Sequence, residues 1–229
     1  GCAVPHVEGE SVFERRTATL QGGHSDLRAI CCGAHAFDID CENGDPRIIH
    51  SLAEQTALSH LVPAWIDYVE HRHEYIKEIC ELHDGCDEKA AKRLPNMVGN
   101  IGTYNTFLQK NDLKEPSEGL KAFEGKKCKA FLPEEKCRRD EPNAARELKA
   151  LQQALFVHPR FKDNVDAERE RLVREKRKPR HKHDASIWST CIMQASEDAI
   201  LSIIDRTLFD LGCDVCALIF DGLMAARVT

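Results

Sequence analysis

The segment DVCALIFDGLMAARV, near the end of the sequence, constrains the fold more than any other stretch. Two short apolar runs flank Asp221-Gly222, and Asp-Gly between apolar runs is the strongest short-range signal for a hairpin turn. A second strand signal, FDIDC, lies near the other end, beginning at Phe37. Alternation in an extended strand places Phe37, Ile39 and Cys41 on one face and Asp38 and Asp40 on the other. Each acid has a plain structural reading, Asp38 and Asp40 as the wet face of an edge strand and Asp221 as a turn residue. If the hairpin pairs beside the first strand, the carboxylates of Asp40 and Asp221 converge instead.

Between these ends the spacing is helical. Asp45-Pro46 reads as a helix start, with Asp as N-cap and Pro at the first helical position, followed by Ile48, Ile49, Leu52, Ala53 and Leu58. A second helix is expected from Pro63 towards Leu82, with Ile66, Val69, His73, Ile76 and Ile79 or Cys80 on its stripe. Asp84-Gly85 ends it, and a third begins at Glu88 and runs to Leu94. Residues 110–140 read as loop, and Pro142 opens another helix, ARELKALQQALF. Residues 166–183 are the most charged part and end in the basic run REKRKPRHKH, which reads as a solvated loop or as a phosphate contact. A long helix is expected from Ala185 to Leu211, carrying Ile187, Cys191, Ala195, Ile200 and Ile203 or Ile204, with Gly212 at its C-terminus.

The composition is that of a globular protein: 229 residues, 42% hydrophobic and 31% charged. A net charge of −6 argues against coating nucleic acid by bulk charge, though a local basic patch is compatible with it. No apolar run is long enough to span a bilayer. The eleven cysteines, with no leading signal segment, read as free thiols in a reducing intracellular compartment. Cys80, His83 and Cys86, and the pair Cys213 and Cys216, tempt a zinc reading, but a structural zinc site needs four ligands.

Two converging aspartates suit a pair of metal ions about 4 Å apart, an arrangement that activates an attacking hydroxyl and stabilises a leaving phosphate oxygen. Magnesium fits, since it takes few carboxylates and completes its shell with water and substrate phosphates. The reaction class is phosphoryl transfer, dominated by positioning and charge neutralisation.

Four blocks, in order from about Gly9 onwards, carry a resemblance: TATLQGGHSDLRAI, DCENGDPRII, KAAKRLPNMVGNIG and MQASEDAILSIIDRTLFDLGCDVCALIFDGLMA. Together they resemble the palm and fingers of family A DNA polymerases, the bacterial DNA polymerase I family, in a compact and divergent form. The resemblance implies that Gln21 and Arg28 lie against the primer-template. Asp40 falls on a metal ligand, Asn43 on a glutamine, Asp45 on the glutamate that screens the sugar 2′-hydroxyl, and Arg47 on an arginine. Lys89, Arg93, Met97, Ile101 and Gly102 fall on the helix that grips the incoming triphosphate, with Lys92 in a register shifted by one. Both aromatics of that helix are lost, Pro95 interrupts it, and Asn100 and Tyr104 stand nearby. Gln194 falls on a residue that touches the duplex, Phe220 replaces a histidine, Asp221 keeps the second metal ligand, and Gly222 replaces a glutamate. Nothing corresponds to an exonuclease domain or to the helical thumb.

The fold expected on this basis is α+β: a small antiparallel palm sheet with packed helices and a helical fingers-like insertion. Residues 1–50 and 185–229 would form the palm-like catalytic core and residues 51–184 the insertion. The implied function is template-directed DNA polymerisation with two Mg²⁺ ions, held by Asp40 and Asp221 with Asp38 beside them. Lys89, Lys92, Arg93, Asn100 and Asp45 would bind the nucleotide. Gln21, Arg28, Gln194, Lys176, Arg177, Lys178 and Arg180 would bind DNA. The partners are a DNA primer-template and nucleoside triphosphates, with no membrane and with helicase or other replication domains in a larger replication protein. Two alternatives stay open: an inactive palm-like nucleic-acid-binding module, and a primase-like ribonucleotide polymerase.

Overall fold

Asn43 turns the chain into the first described helix from a left-handed backbone, φ 60° and ψ 41°, a conformation asparagine tolerates better than most residues. The computed structural model describes residues 36–40, 43–175, 183–213, 215–219 and 222–226, the strands by their backbone. Helix α1 (Gly44–Gln55) buries Ile48, Ile49, Leu52 and Ala53, the stripe expected from their spacing. Its N-cap position is Asn43, two residues earlier than the sequence suggested. Asp45 and Pro46 therefore sit inside the first turn, where an acid meets the positive end of the helix and a missing N–H costs nothing.

The helix expected from Pro63 to Leu82 is two helices, α2 (Pro63–Glu70) and α3 (Arg72–Leu82), broken at His71. The break has a packing reason. In one straight helix Tyr68 and Tyr75 would lie roughly 10 Å apart along the axis. With the break, their rings meet edge to edge-face at a centroid separation of 5.3 Å. Phe131 joins the same cluster against Trp65, Tyr68 and Tyr75 at 5.3, 5.3 and 5.7 Å, all near-perpendicular, which is the preferred aromatic geometry. Trp65 is fully buried and donates its indole N–H to the Ala144 carbonyl at 2.9 Å.

The next stretch is also divided: α4 (Glu88–Ala91) and α5 (Arg93–Gly99) are separated at Lys92. Pro95 is the third residue of α5, where its absent N–H is one of the donors with no intrahelical acceptor. It begins a helix rather than breaking one. Helix α6 (Tyr104–Lys110) is capped by the Thr103 hydroxyl, which accepts from the Thr106 N–H at 3.2 Å. The segment expected to be loop holds three 3₁₀ turns, Gly119–Phe123, Lys127–Phe131 and Glu134–Lys136, and the first two bury Phe123, Cys128 and Phe131.

Helix α7 (Ala144–Val157) starts where Pro142 suggested, capped by the Asn143 side chain, which accepts from Arg146 N–H at 3.0 Å. Leu148, Leu151, Leu155 and Phe156 form its buried face. Helix α8 (Lys162–Glu175) is charged on its surface and buries Val165 and Leu172. Then come α9 (His183–Ile187), a π-helical segment (Trp188–Gln194) and α10 (Ala195–Asp210). The wider π turns shift the helical phase, so Trp188, Ile192, Met193 and Leu201 are buried while Ile203 is 66% exposed.

Contacts divide the chain into two units, residues 43–195 and residues 1–42 with 196–229. The second contains strands β1 (Ala36–Asp40), β2 (Val215–Ile219) and β3 (Gly222–Ala226), antiparallel in the order β1-β3-β2. The α+β class with a palm sheet is nonetheless corrected. Helix accounts for 74% of the residues whose side chains are placed, and none of those residues is in a strand. The reason is where the apolar stripes fall: α1 to α8 and the 3₁₀ turn that carries Phe131 bury Trp65, Tyr68, Tyr75, Phe107, Phe131 and Leu151 among themselves. Among the described residues the fold is helical, with three strands of five residues each.

Candidate nucleotide site

The start of α1 and the end of α5 meet through two residues that the sequence had marked separately. Asn100, the residue capping α5, donates its side-chain amide to Asp45 Oδ2 at 2.5 Å and to the Asn96 carbonyl at 3.1 Å. The approach depends on Gly99: a Cβ there would stand 3.3 Å from Ile49 Cδ1, 3.4 Å from the Trp65 ring and 3.9 Å from Asp45 Cβ. A Cβ there would make Ile49 and Trp65 give by a few tenths of an ångström, and a long side chain would push α5 off α1 and take Asn100 with it.

Beside Asp45, Asn43 does not use its side chain to cap α1. Its carboxamide oxygen accepts from the buried Tyr68 hydroxyl at 3.2 Å. Burial raises the Tyr68 phenol above its usual range, while the Arg72 guanidinium, hydrogen-bonded to the same hydroxyl, works against that rise. Arg72, Tyr68 and Asn43 thus form a polar chain from the start of α3 to the start of α1. Sequence reasoning missed Tyr68 and Arg72; nothing local marks a tyrosine on an apolar stripe as a hydrogen-bond relay.

The expected triphosphate residues lie on α4 and α5. Lys89 is exposed on α4. Lys92 pairs with Glu88 at 2.6 Å, one helical turn away, and the ammonium holds the Glu88 carboxyl below its usual range. Arg93 donates to the Asn111 side chain at 2.8 Å. Such surface contacts are worth at most about 1 kcal/mol, so a polyphosphate can displace them. Arg93 is directed to Asn111 rather than to Asp45, so the described residues do not gather all the expected nucleotide ligands at one point.

The last turn of α5 stores strain. Ile101 has φ 60°, a left-handed backbone, and is 42% exposed. That conformation costs a side-chain-bearing residue roughly 1–2 kcal/mol, more for a β-branched one. Gly102 follows, its N–H on the Met97 carbonyl at 2.6 Å, where a Cβ would stand only 2.7 Å from that oxygen.

Asp40 is the last residue of β1 and pairs across the ladder with Gly222, while Asp38 pairs with Met224. Gly222 is the chain neighbour of Asp221; Asp221 itself lies outside the described residues, as do Gln21, Arg28, Lys176, Arg177, Lys178 and Arg180. Gln194 ends the π segment and is exposed, and Arg174 is exposed in the last turn of α8. Among the described side chains, no group of three or more His, Cys, Asp or Glu could hold a metal ion; those of Asp38, Asp40 and Asp221 are not among them. Both nitrogens of buried His83 are engaged, Nδ1 on the Ile79 carbonyl at 2.9 Å and Nε2 on the Tyr104 hydroxyl at 2.8 Å. Comparison of the chain with protein-family models, curated proteins and solved structures finds no match.

Proposed function

We propose that the chain carries out template-directed nucleotidyl transfer on DNA, with Asp40 and Asp221 holding two magnesium ions. The single observation that supports this most is the strand register. The antiparallel pairing of β1 with β3 sets Asp40 opposite Gly222, next in sequence to Asp221. Asp40 and Asp221 lie 181 positions apart in the sequence, and the ladder brings the end of β1 to the start of β3. Carboxylate oxygens are the hard donors that magnesium takes, so the donor set fits the ion. Bound there, the ions would activate the primer hydroxyl and neutralise charge on the leaving phosphate oxygen.

The chain's own residues supply the rest of the reading. Lys89, Lys92 and Arg93 offer cationic side chains on α4 and α5 for the triphosphate. Asp45, held by Asn100, screens the sugar edge of the incoming nucleotide. Arg174 and the basic residues after it contact the DNA backbone.

Magnesium-dependent primer extension by the full chain tests the reading. Asp40→Ala and Asp221→Ala are each expected to abolish extension while circular dichroism keeps its helical signal. Extension at the wild-type rate by either variant would refute the metal assignment. In the same assay Asp45→Ala is expected to raise ribonucleotide use relative to deoxyribonucleotide use.

A further inference from the structure

We infer that Trp188 is a positioning residue for the sugar edge of the nucleotide site: from the π-helical segment it holds the last turn of α5, and so keeps Asn100 on Asp45. The inference rests on the proposed nucleotide role of Asp45.

The last four carbonyls of an α-helix have no partner within the helix and must find one elsewhere. In α5 the accounting closes. The Asn96 carbonyl accepts from Asn100 N–H at 3.0 Å, Met97 from Gly102 at 2.6 Å, and Val98 from Ile101 at 3.0 Å. The Gly99 carbonyl accepts from the Trp188 indole N–H at 2.9 Å, a residue 89 positions away in the chain. Three of the four bonds are thus local, and Trp188 supplies the fourth from a distant helix.

The turn it holds has reason to come apart. Ile101 stays in its left-handed conformation only while its surroundings enforce it. The enforcing bonds are those just named, together with the Asn100 side chain on Asp45. Trp188 is fully buried, so its ring is fixed and the N–H has one direction to point. Trp188 opens the π-helical segment, and such segments recur at functional sites. An unpaired Gly99 carbonyl in this buried place would be costly, and the turn would rearrange to reach another donor. Asn100, the next residue, would move with it.

Two full-chain variants separate the N–H from the packing. Trp188→Phe removes the donor and some volume, and replacing Trp188 with β-(3-benzothienyl)alanine removes the donor alone. In both, amide hydrogen exchange at Asn100, Ile101 and Gly102 is expected to rise about tenfold, while Leu151 and Leu155 in α7 stay protected. The ratio of ribonucleotide to deoxyribonucleotide use is expected to move in the direction of Asp45→Ala and Asn100→Ala. Unchanged exchange at residues 100–102 in the benzothienyl variant overturns the inference, as does a rise spread evenly over α5 and α7. A ratio unmoved by either Trp188 variant while Asp45→Ala moves it overturns the inference alone. A ratio unmoved by Asp45→Ala overturns the sugar-edge reading first, and the inference with it.

Discussion

Raising the pH towards neutrality is expected to weaken the helical unit through one carboxyl group. Glu147, 9% exposed, joins the starts of two helices: its Oε2 accepts from Ala64 N–H in α2 at 2.8 Å and its Oε1 from Asn143 N–H ahead of α7 at 3.2 Å. Burial outweighs these bonds and pushes its pKa from 4.5 up to about 7. Because the folded state binds the proton more tightly than the unfolded chain, the contribution is complete below pH 4.5 and is lost as the pH rises through about 7. A shift of this size corresponds to about 3 kcal/mol, a large fraction of a typical domain's stability. Glu147→Gln keeps the shape and one acceptor but cannot titrate. Urea unfolding of both proteins over the range from about pH 4.5 to about 7.5 gives the difference directly, and other titrating groups cancel. His83, whose pKa burial lowers, contributes a slope of opposite sign in both proteins, since its stabilisation is lost as the pH falls. The wild type's advantage over Glu147→Gln is expected to be largest in acid and to shrink towards neutrality. A difference that stays constant across the range would mean that Glu147 is charged in the folded protein and that its backbone bonds, not its burial, prevail.

Ile101→Asn is expected to raise stability by about 1 kcal/mol in thermal melts, because asparagine accepts the left-handed backbone and little apolar contact is lost; no gain would mean that the turn is not strained. Pro95→Ala is expected to change the urea midpoint by less than about 1 kcal/mol, whereas a gain near 3 kcal/mol would show that α4 and α5 favour one continuous helix. Replacing Arg174, Lys176, Arg177, Lys178, Arg180 and Lys182 with serine is expected to flatten the log–log salt dependence of DNA affinity by roughly 0.9 per lost phosphate contact. Equal slopes in filter binding would leave the basic run as a solvated loop.

What could be read from the sequence was local. The Asp-Gly punctuation of the hairpin, the stripe Ile48, Ile49, Leu52, Ala53 and the cap-and-stripe pattern of α7 each need only neighbouring residues to specify them. The break at His71 answers to a distant partner: it lets Tyr68 and Tyr75 close on Phe131, and no periodicity announces that. The π segment escaped for a related reason, since a stripe from Ile187 to Ile203 looks like one continuous helix until Trp188 finds the Gly99 carbonyl. Counting strand signals and helix signals alike also misjudged the class, because three five-residue strands weigh little against the apolar mass of α1 to α8. At the candidate site, Asp45 and Asn100 could each be marked from motif spacing, but their hydrogen bond depends on the close approach that Gly99 permits.

The strand order has a consequence for biosynthesis. β3 is the central strand of the described sheet, flanked by β1, which precedes the helical unit, and by β2, which comes just before β3 in the chain. Closing so long a loop is entropically unfavourable until its contacts form, and non-local pairing of this kind is slow beside helix formation. Residues 43–195 can therefore fold on emergence, while β1 waits for a partner strand that follows the whole helical unit. A nascent chain halted before Gly222 holds the helical unit with Asp40 unmatched, so the two aspartates proposed to share magnesium can be joined only once β3 has been made.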